Sequence, residues 1–204
     1  MMSQKEHWEN VFATKLETEV SWYQPSPKTS LDFISNLNIS KEAKIIDIGG
    51  GDSYLMDALL ERGFTNITLL DISAQAIERI KSRLGAKATI VTFIVSNILD
   101  FNPTETYDLW HDRASFHFQT DEQQIQKYAD IVAKSVTTNG NMIIGTFSEN
   151  GPKKCSGLDI TQYNEATMNA VFAPNFEFLN SITEDHTTPF DTIQNFIFCS
   201  FKRK

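Results

Sequence analysis

The stretch Ala43 to Ser53 constrains the fold more than any other part of the chain. An apolar run, Ala43 to Ile48, ends in three consecutive glycines, Gly49-Gly50-Gly51, and a helical pattern follows. A buried strand running through a glycine turn into a helix lets a ligand approach the backbone closely. Dinucleotide-binding turns of this kind read G-x-G-x-x-G, with a pyrophosphate at the helix N-terminus. Here Gly49 and Gly51 fit, but Tyr54 stands at the last glycine position. Asp47 lies two residues before Gly49 and Asp52 lies inside the loop, so two carboxylates would oppose a pyrophosphate.

A cationic ligand suits those carboxylates better. S-adenosylmethionine carries an ammonium and a sulfonium and has no phosphate. The expected contacts in the loop are Asp47, Gly49, Gly50, Gly51 and Ser53. Two further places agree. Asp71 ends a second apolar run, followed by Ile72, and a carboxylate there can accept from both ribose hydroxyls. Ser96-Asn97-Ile98 follows a third run; the Asn97 carbonyl can accept from an adenine amino group and Ile98 can pack on the ring. These places fall at successive strand ends, where open α/β sheets bind ligands.

The rest of the chain alternates short β-rich runs with amphipathic stretches, which argues for a mostly parallel α/β sheet with helices on both faces. Strands are expected at 43–48, 67–70, 89–95, 107–110, 141–147, 176–184 and 193–202, the last pair antiparallel. Helices are expected at 4–19, 28–37, 53–62, 74–84, 122–135 and 164–172, with Gly63 and Gly85 as stops. Segment 148–160 reads as irregular. Residues 1–204 are read as a single domain, whose N-terminal helical segment, 1–40, covers the ligand cleft.

The net charge of −8, from 26 acidic and 18 basic residues, disfavours sequence-independent nucleic-acid binding. Cys155 and Cys199 have neither metal-ligand nor disulfide-framework spacing, so no metal is expected and a reducing compartment is. The polar N-terminus and the lack of a long apolar run predict no membrane contact and a cytoplasmic location. Oligomeric state is not readable from these features.

The loop at 47–53 resembles motif I of the class I S-adenosylmethionine-dependent methyltransferases, acidic-x-Gly-x-Gly-x-Gly, with Ser53 in place of the third glycine. The string Tyr107-Asp108-Leu109-Trp110-His111-Asp112-Arg113-Ala114-Ser115-Phe116-His117-Phe118 is similar to the motif IV region of a bacterial subgroup related to thiopurine-type and small protein-lysine methyltransferases. Residues 19–24, 146–158, 186–189 and 194–196 carry the same likeness. The resemblance implies a Rossmann-like, seven-stranded methyltransferase sheet with its last strand antiparallel. It also implies S-adenosyl-L-methionine as cofactor and S-adenosyl-L-homocysteine as product.

Methyl transfer from a sulfonium is an in-line displacement, for which alignment can contribute as much as ~7–11 kcal/mol. A nearby base adds about 10²–10⁴-fold where an acceptor must lose a proton. His111, also placed against the cofactor, is the candidate base by position and ordinary pKa. Asp112 is expected to orient an acceptor, Arg113 to pair with Asp112 or a substrate carboxylate, and His117 to face the same cleft. Trp22 and Tyr23 are candidates for a cation–π contact with the sulfonium, or for core packing. Cys155 and His186 are pocket candidates only. The expected acceptor is a small-molecule thiol, amine or metalloid. The alternative is a protein lysine, as in the eukaryotic relatives.

Overall fold

The computed structural model describes residues 3–204; residues 1 and 2, the start of the expected N-terminal segment, lie outside the described residues. In chain order the sheet strands are β1 (Ile45–Ile48), β2 (Ile67–Asp71), β3 (Val91–Val95), β4 (Tyr107–Arg113) and β5 (Val136–Phe147). A two-residue hairpin, β6 (Lys154–Cys155) and β7 (Leu158–Asp159), precedes β8 (Phe176–Thr187) and β9 (Ile193–Arg203). The seven long strands form one sheet in the order β3-β2-β1-β4-β5-β9-β8. The first five are mutually parallel, and β9 lies antiparallel between β5 and β8. This is the Rossmann-like methyltransferase topology expected of the chain.

The helices are α1 (Gln4–Thr14), α2 (Lys28–Asn36), α3 (Leu55–Glu61), α4 (Ala74–Leu84), α5 (Glu122–Ser135) and α6 (Glu165–Phe172). Strand residues alternate faces, so each central strand feeds two cores. Ile46, Ile48, Trp110, Met142 and Ile144 pack with Tyr128 and Val132 of α5 and Phe172 of α6. Ile45, Leu69, Leu109 and Ile143 pack on the other face with Ile34 of α2, Leu59 of α3 and Ile80 of α4. All four residues of β1 are buried, as befits a strand with parallel neighbours on both sides.

Several boundaries differ from the sequence expectation. Strand β4 continues past Trp110 to Arg113, because Asp112 and Arg113 pair with Ile144 and Gly145 while His111 and Asp112 pair with Asp47 and Ile48. Strand β5 starts at Val136 rather than at Asn141, and Asn139-Gly140 sits in a bulge where the register slips. The expected helix 4–19 stops at Thr14. A separate 3₁₀ turn spans Glu17–Glu19, capped by the Leu16 N–H donating to Glu19 at 2.8 Å. The segment read as irregular holds the β6–β7 hairpin.

Helix α1 is tied to the sheet by Glu9, whose carboxylate accepts from the Ser73 hydroxyl at 2.8 Å and the Ala74 and Gln75 N–H groups at 2.9 and 3.0 Å. Those donors sit in the first turn of α4, so a side chain from one helix caps another. Glu9→Ala should cost about 1 kcal/mol, read as a lower thermal midpoint; an unchanged midpoint would show the cap to be idle. No helix among the described residues is long and apolar enough to cross a membrane.

Candidate active site

A cleft opens at the C-terminal ends of β1, β2 and β4, floored by the glycine turn. Gly49 and Gly51 have φ of 61° and 55°, a region glycine adopts without strain. The Gly49 N–H donates to the Leu70 carbonyl at 2.7 Å, which turns the chain back over β2. Gly50 needs its missing side chain for space: a Cβ there would lie 2.3 Å from Asp47 Oδ2 and 2.5 Å from Leu69 Cδ1. Arg83 of α4 braces the turn from behind, donating to the Asp52 carbonyl at 2.7 Å while pairing with Asp57 at 2.9 Å. Asp52, read as a loop carboxylate that would oppose a pyrophosphate, pairs with Arg79 at 3.2 Å, which offsets its charge. The expected helix start at Ser53 is shifted, since Ser53 and Tyr54 belong to the turn and α3 begins at Leu55.

Asp47 and His111 are opposite partners of β1 and β4, so their side chains share a face. His111 Nδ1 lies 2.6 Å from Asp47 Oδ1, and His111 Nε2 lies 2.8 Å from the Ser30 hydroxyl of α2. Asp47 Oδ2 is buried and has no partner. Both ring nitrogens are thus engaged within the fold, and His111 can take a proton from an acceptor only by giving up its bond to Ser30 or Asp47.

Asp71 closes the second strand end. Its Oδ2 accepts from the Gly51 N–H and its Oδ1 from the Ser73 N–H, both at 2.8 Å. The carboxylate therefore holds the glycine turn and the start of α4 together. Burial pushes its pKa up to about 7, against the opposing pull of the Ser73 and Gly51 donors; Asp47 and Asp52 nearby push it further up. Ile72, Ser96, Asn97 and Ile98 line the same end of the cleft. The Asn97 side-chain oxygen already accepts from the Leu99 N–H at 2.9 Å, leaving it one lone pair for a ligand.

The opposite wall is aromatic. Trp22 and Tyr23 line the cleft, joined by Trp8 and Phe12 of α1 and by Phe118. Trp8 stands edge-on to Trp22 at 5.6 Å and to Phe118 at 5.3 Å between ring centroids. Arg113 also reaches the cleft. Its guanidinium lies 4.6 Å over the Phe196 ring and donates to the Trp22 carbonyl at 3.2 Å, while its Nε and Nη2 have no partner. Burial lowers its pKa to about 10, so it stays charged near neutrality.

Three expected site residues are turned away from the cleft. Asp112 faces the α5 side of the sheet, fully buried, accepting from the Ser115 and Phe116 N–H groups at 2.9 and 3.1 Å and from the Tyr128 hydroxyl at 2.5 Å. It therefore cannot orient an acceptor or pair with Arg113. His117 is fully buried against Phe118 and Phe147, and burial lowers its pKa to about 3, helped by Arg113. His186 is spent on the Ser21 carbonyl at 2.8 Å. Cys155 does line the cleft, but burial pushes its thiol up to about 12, so it holds its proton. Sequence reasoning missed Trp8, Phe12, Ser30, Ser115 and Phe118. Only the aromatic spacing of Trp8 and Phe12 on one face of α1 gave a signal that could have found any of them.

Residues 39–191 match the methyltransferase domain family. Malonyl-[acyl-carrier protein] O-methyltransferase 1 of Ilyobacter polytropus is 33% identical over 87 residues, 42% of this chain and 32% of that protein. The eEF1A lysine and N-terminal methyltransferase of Mus musculus is 28% identical over 125 residues, 59% of this chain and 17% of that protein. The chain thus spans a third or less of the length of these curated relatives. The solved N-methyltransferase NodS of Bradyrhizobium japonicum WM9, in complex with S-adenosyl-L-homocysteine, is alike at a TM-score of 0.73 and 14% identity, covering 97% of this chain and 98% of that one. At that identity the likeness is one of fold.

Proposed function

The chain belongs to the class I, S-adenosylmethionine-dependent methyltransferases, in the methyltransferase domain family, and from that premise we propose that it methylates a small-molecule thiol, amine or metalloid acceptor. The observation that carries the small-molecule reading is the aromatic wall of Trp8, Phe12, Trp22 and Phe118 across the cleft. A cleft so walled suits a ligand buried on most of its surface. Residues 3–40 supply three of these four aromatics, and we assign that segment to covering the cofactor.

The residues present fit the cofactor. Asp47 Oδ2 is a buried acceptor without a partner, which suits an ammonium, and Gly50 leaves room where a side chain would block it. Asp71 retains lone pairs for ribose hydroxyls beyond the two backbone donors it serves. Ser96, Asn97, Ile98 and Ile72 are assigned to the adenine end, and the backbone of Gly49, Gly51 and Ser53 to the turn beneath. Trp22 and Tyr23 offer ring faces to a cation, worth roughly 0.5–2 kcal/mol. S-adenosylmethionine, when bound, supplies a methyl group on an already activated sulfonium. The chain's own part is alignment and exclusion of water, and Arg113 is assigned to orient an acceptor that carries an anionic group.

The decisive experiment incubates the protein with radiolabelled S-adenosylmethionine and a size-fractionated lysate. Counts in the small-molecule fraction support this reading; counts confined to protein would replace it with lysine methylation, the activity named for the mouse relative.

A pH dependence follows from Asp71. Its carboxyl is protonated below about pH 7 in the folded chain and then offers hydroxyl donors a poorer acceptor. Affinity for S-adenosylhomocysteine should therefore rise between about pH 6 and about pH 8 and then level off. In Asp71→Asn, which has nothing to titrate there, calorimetry should find the rise gone. A rise that persists in that variant would assign the titration elsewhere.

A further inference from the structure

Ser30, His111 and Asp47 come from three separate elements, α2, β4 and β1, and form one continuous hydrogen-bonded chain along the cleft wall. All three are almost fully buried, at 1%, 2% and 2% exposed. With Asp47 ionised and the imidazole neutral, elementary donor–acceptor rules give the chain one polarity. An ionised carboxylate only accepts, so His111 Nδ1 carries the proton. In a neutral imidazole Nε2 is then the acceptor, and the Ser30 hydroxyl donates to it. The chain thus runs from Ser30 to His111 to Asp47 Oδ1 and leaves one unsatisfied end, the buried Asp47 Oδ2. That oxygen faces the glycine turn, next to Gly50.

Packing does not require this arrangement. Helix α2 is already anchored by Leu31, Phe33 and Ile34, and an apolar residue at 30 would bury as well. A polar chain that is fully satisfied except at one end, with that end at a ligand cleft, is a rotamer lock for the group at its end.

We propose that Ser30 and His111 are positioning residues for the cofactor: they fix the Asp47 carboxylate so that Oδ2 is presented to an ammonium group. The proposal rests on the reading of the cleft as an S-adenosylmethionine site and adds to it two residues that act through Asp47. It also couples the floor of the cleft to α2, which directly follows the Trp22–Tyr23 strap, so the cofactor's amino-acid end and the N-terminal cover are held by one set of bonds.

The test needs no acceptor. Calorimetry compares two ligands, S-adenosylhomocysteine and 5′-methylthioadenosine, which lacks the amino-acid portion. Ser30→Ala should weaken S-adenosylhomocysteine about tenfold, the loss of one well-aligned interaction, and leave 5′-methylthioadenosine unchanged. Ser30→Thr, which keeps the hydroxyl, should restore affinity to within about twofold. His111→Asn, whose amide can still donate to Asp47 without reaching Ser30, should lose at least as much S-adenosylhomocysteine affinity as Ser30→Ala. Thermal unfolding of each variant checks that it is folded. Equal losses for both ligands, or no loss for either, would overturn the proposal. Failure of the unaltered chain to bind either ligand would overturn the cofactor reading, and this proposal with it.

Discussion

The Asp71→Ala chain is expected to bind S-adenosylhomocysteine at least about a hundredfold more weakly than the unaltered chain and to unfold at a lower temperature. Two effects add. The variant loses the acceptor assigned to the ribose hydroxyls. It also strands the N–H groups of Gly51 and Ser73, each of which donates to Asp71 at 2.8 Å inside the fold. A buried donor left without a partner costs about 1–3 kcal/mol, so the glycine turn and the first turn of α4 should both loosen. Asp71→Asn keeps one acceptor oxygen but sets an amide NH₂ against the second N–H, and its loss should be intermediate. Calorimetry and thermal unfolding on the same samples separate the two effects. Affinity within about threefold of the unaltered chain would remove Asp71 from the site.

The second large effect should be on stability alone. Asp112 gathers three buried donors, from Ser115, Phe116 and Tyr128, and Tyr128 in turn accepts from the Trp110 indole at 3.1 Å. This cluster joins β4 to α5 on the sheet face opposite the cleft. Burial raises the Asp112 carboxyl to about 6, with its three donors pulling it down, so it is largely ionised at pH 7. Asp112→Ala leaves all three donors unmatched and should cost about 3–5 kcal/mol. Tyr128→Phe takes a donor from Asp112 and strands the Trp110 indole N–H, and should cost about 1–3 kcal/mol. Cofactor affinity per folded molecule should stay unchanged in both. A large loss of affinity in folded Asp112→Ala would mean that the residue communicates with the cleft after all.

Features with a local cause were legible in the sequence. Helix α4 was bounded at both ends, because Ser73 caps its start and Gly85 its end. The glycine turn was legible because glycine takes the positive φ at 49 and 51 without strain and a side chain at 50 would collide with Asp47 and Leu69. Strand β4 was cut short because its last three residues, His111 to Arg113, look like loop polar residues; what makes them strand is pairing with β1 and β5, which no local window contains. The same distance hid the facing of the site. Residues 111 to 113 alternate sides of the sheet, so Asp112 points away from the cleft that its two neighbours line. Ser30 and His111 are 81 residues apart, and a lone serine on a short helix carries no pattern that announces its partner.

The place of β9 bears on how the chain is made. It is the last strand in order, yet it fills the gap between β5 and β8, with Phe196, Phe198, Cys199 and Phe201 entirely buried there. During synthesis β5 must wait with one edge open, and β8 has nothing to pair with, until those residues leave the ribosome. Between the synthesis of β5 (Val136–Phe147) and that of β9 (Ile193–Arg203) the nascent chain therefore carries an apolar sheet edge, the condition under which strands find the wrong partner. Shielding by a chaperone should matter over that interval, and the slowest folding step should be the late addition of β9 to β5, with β8 pairing onto it.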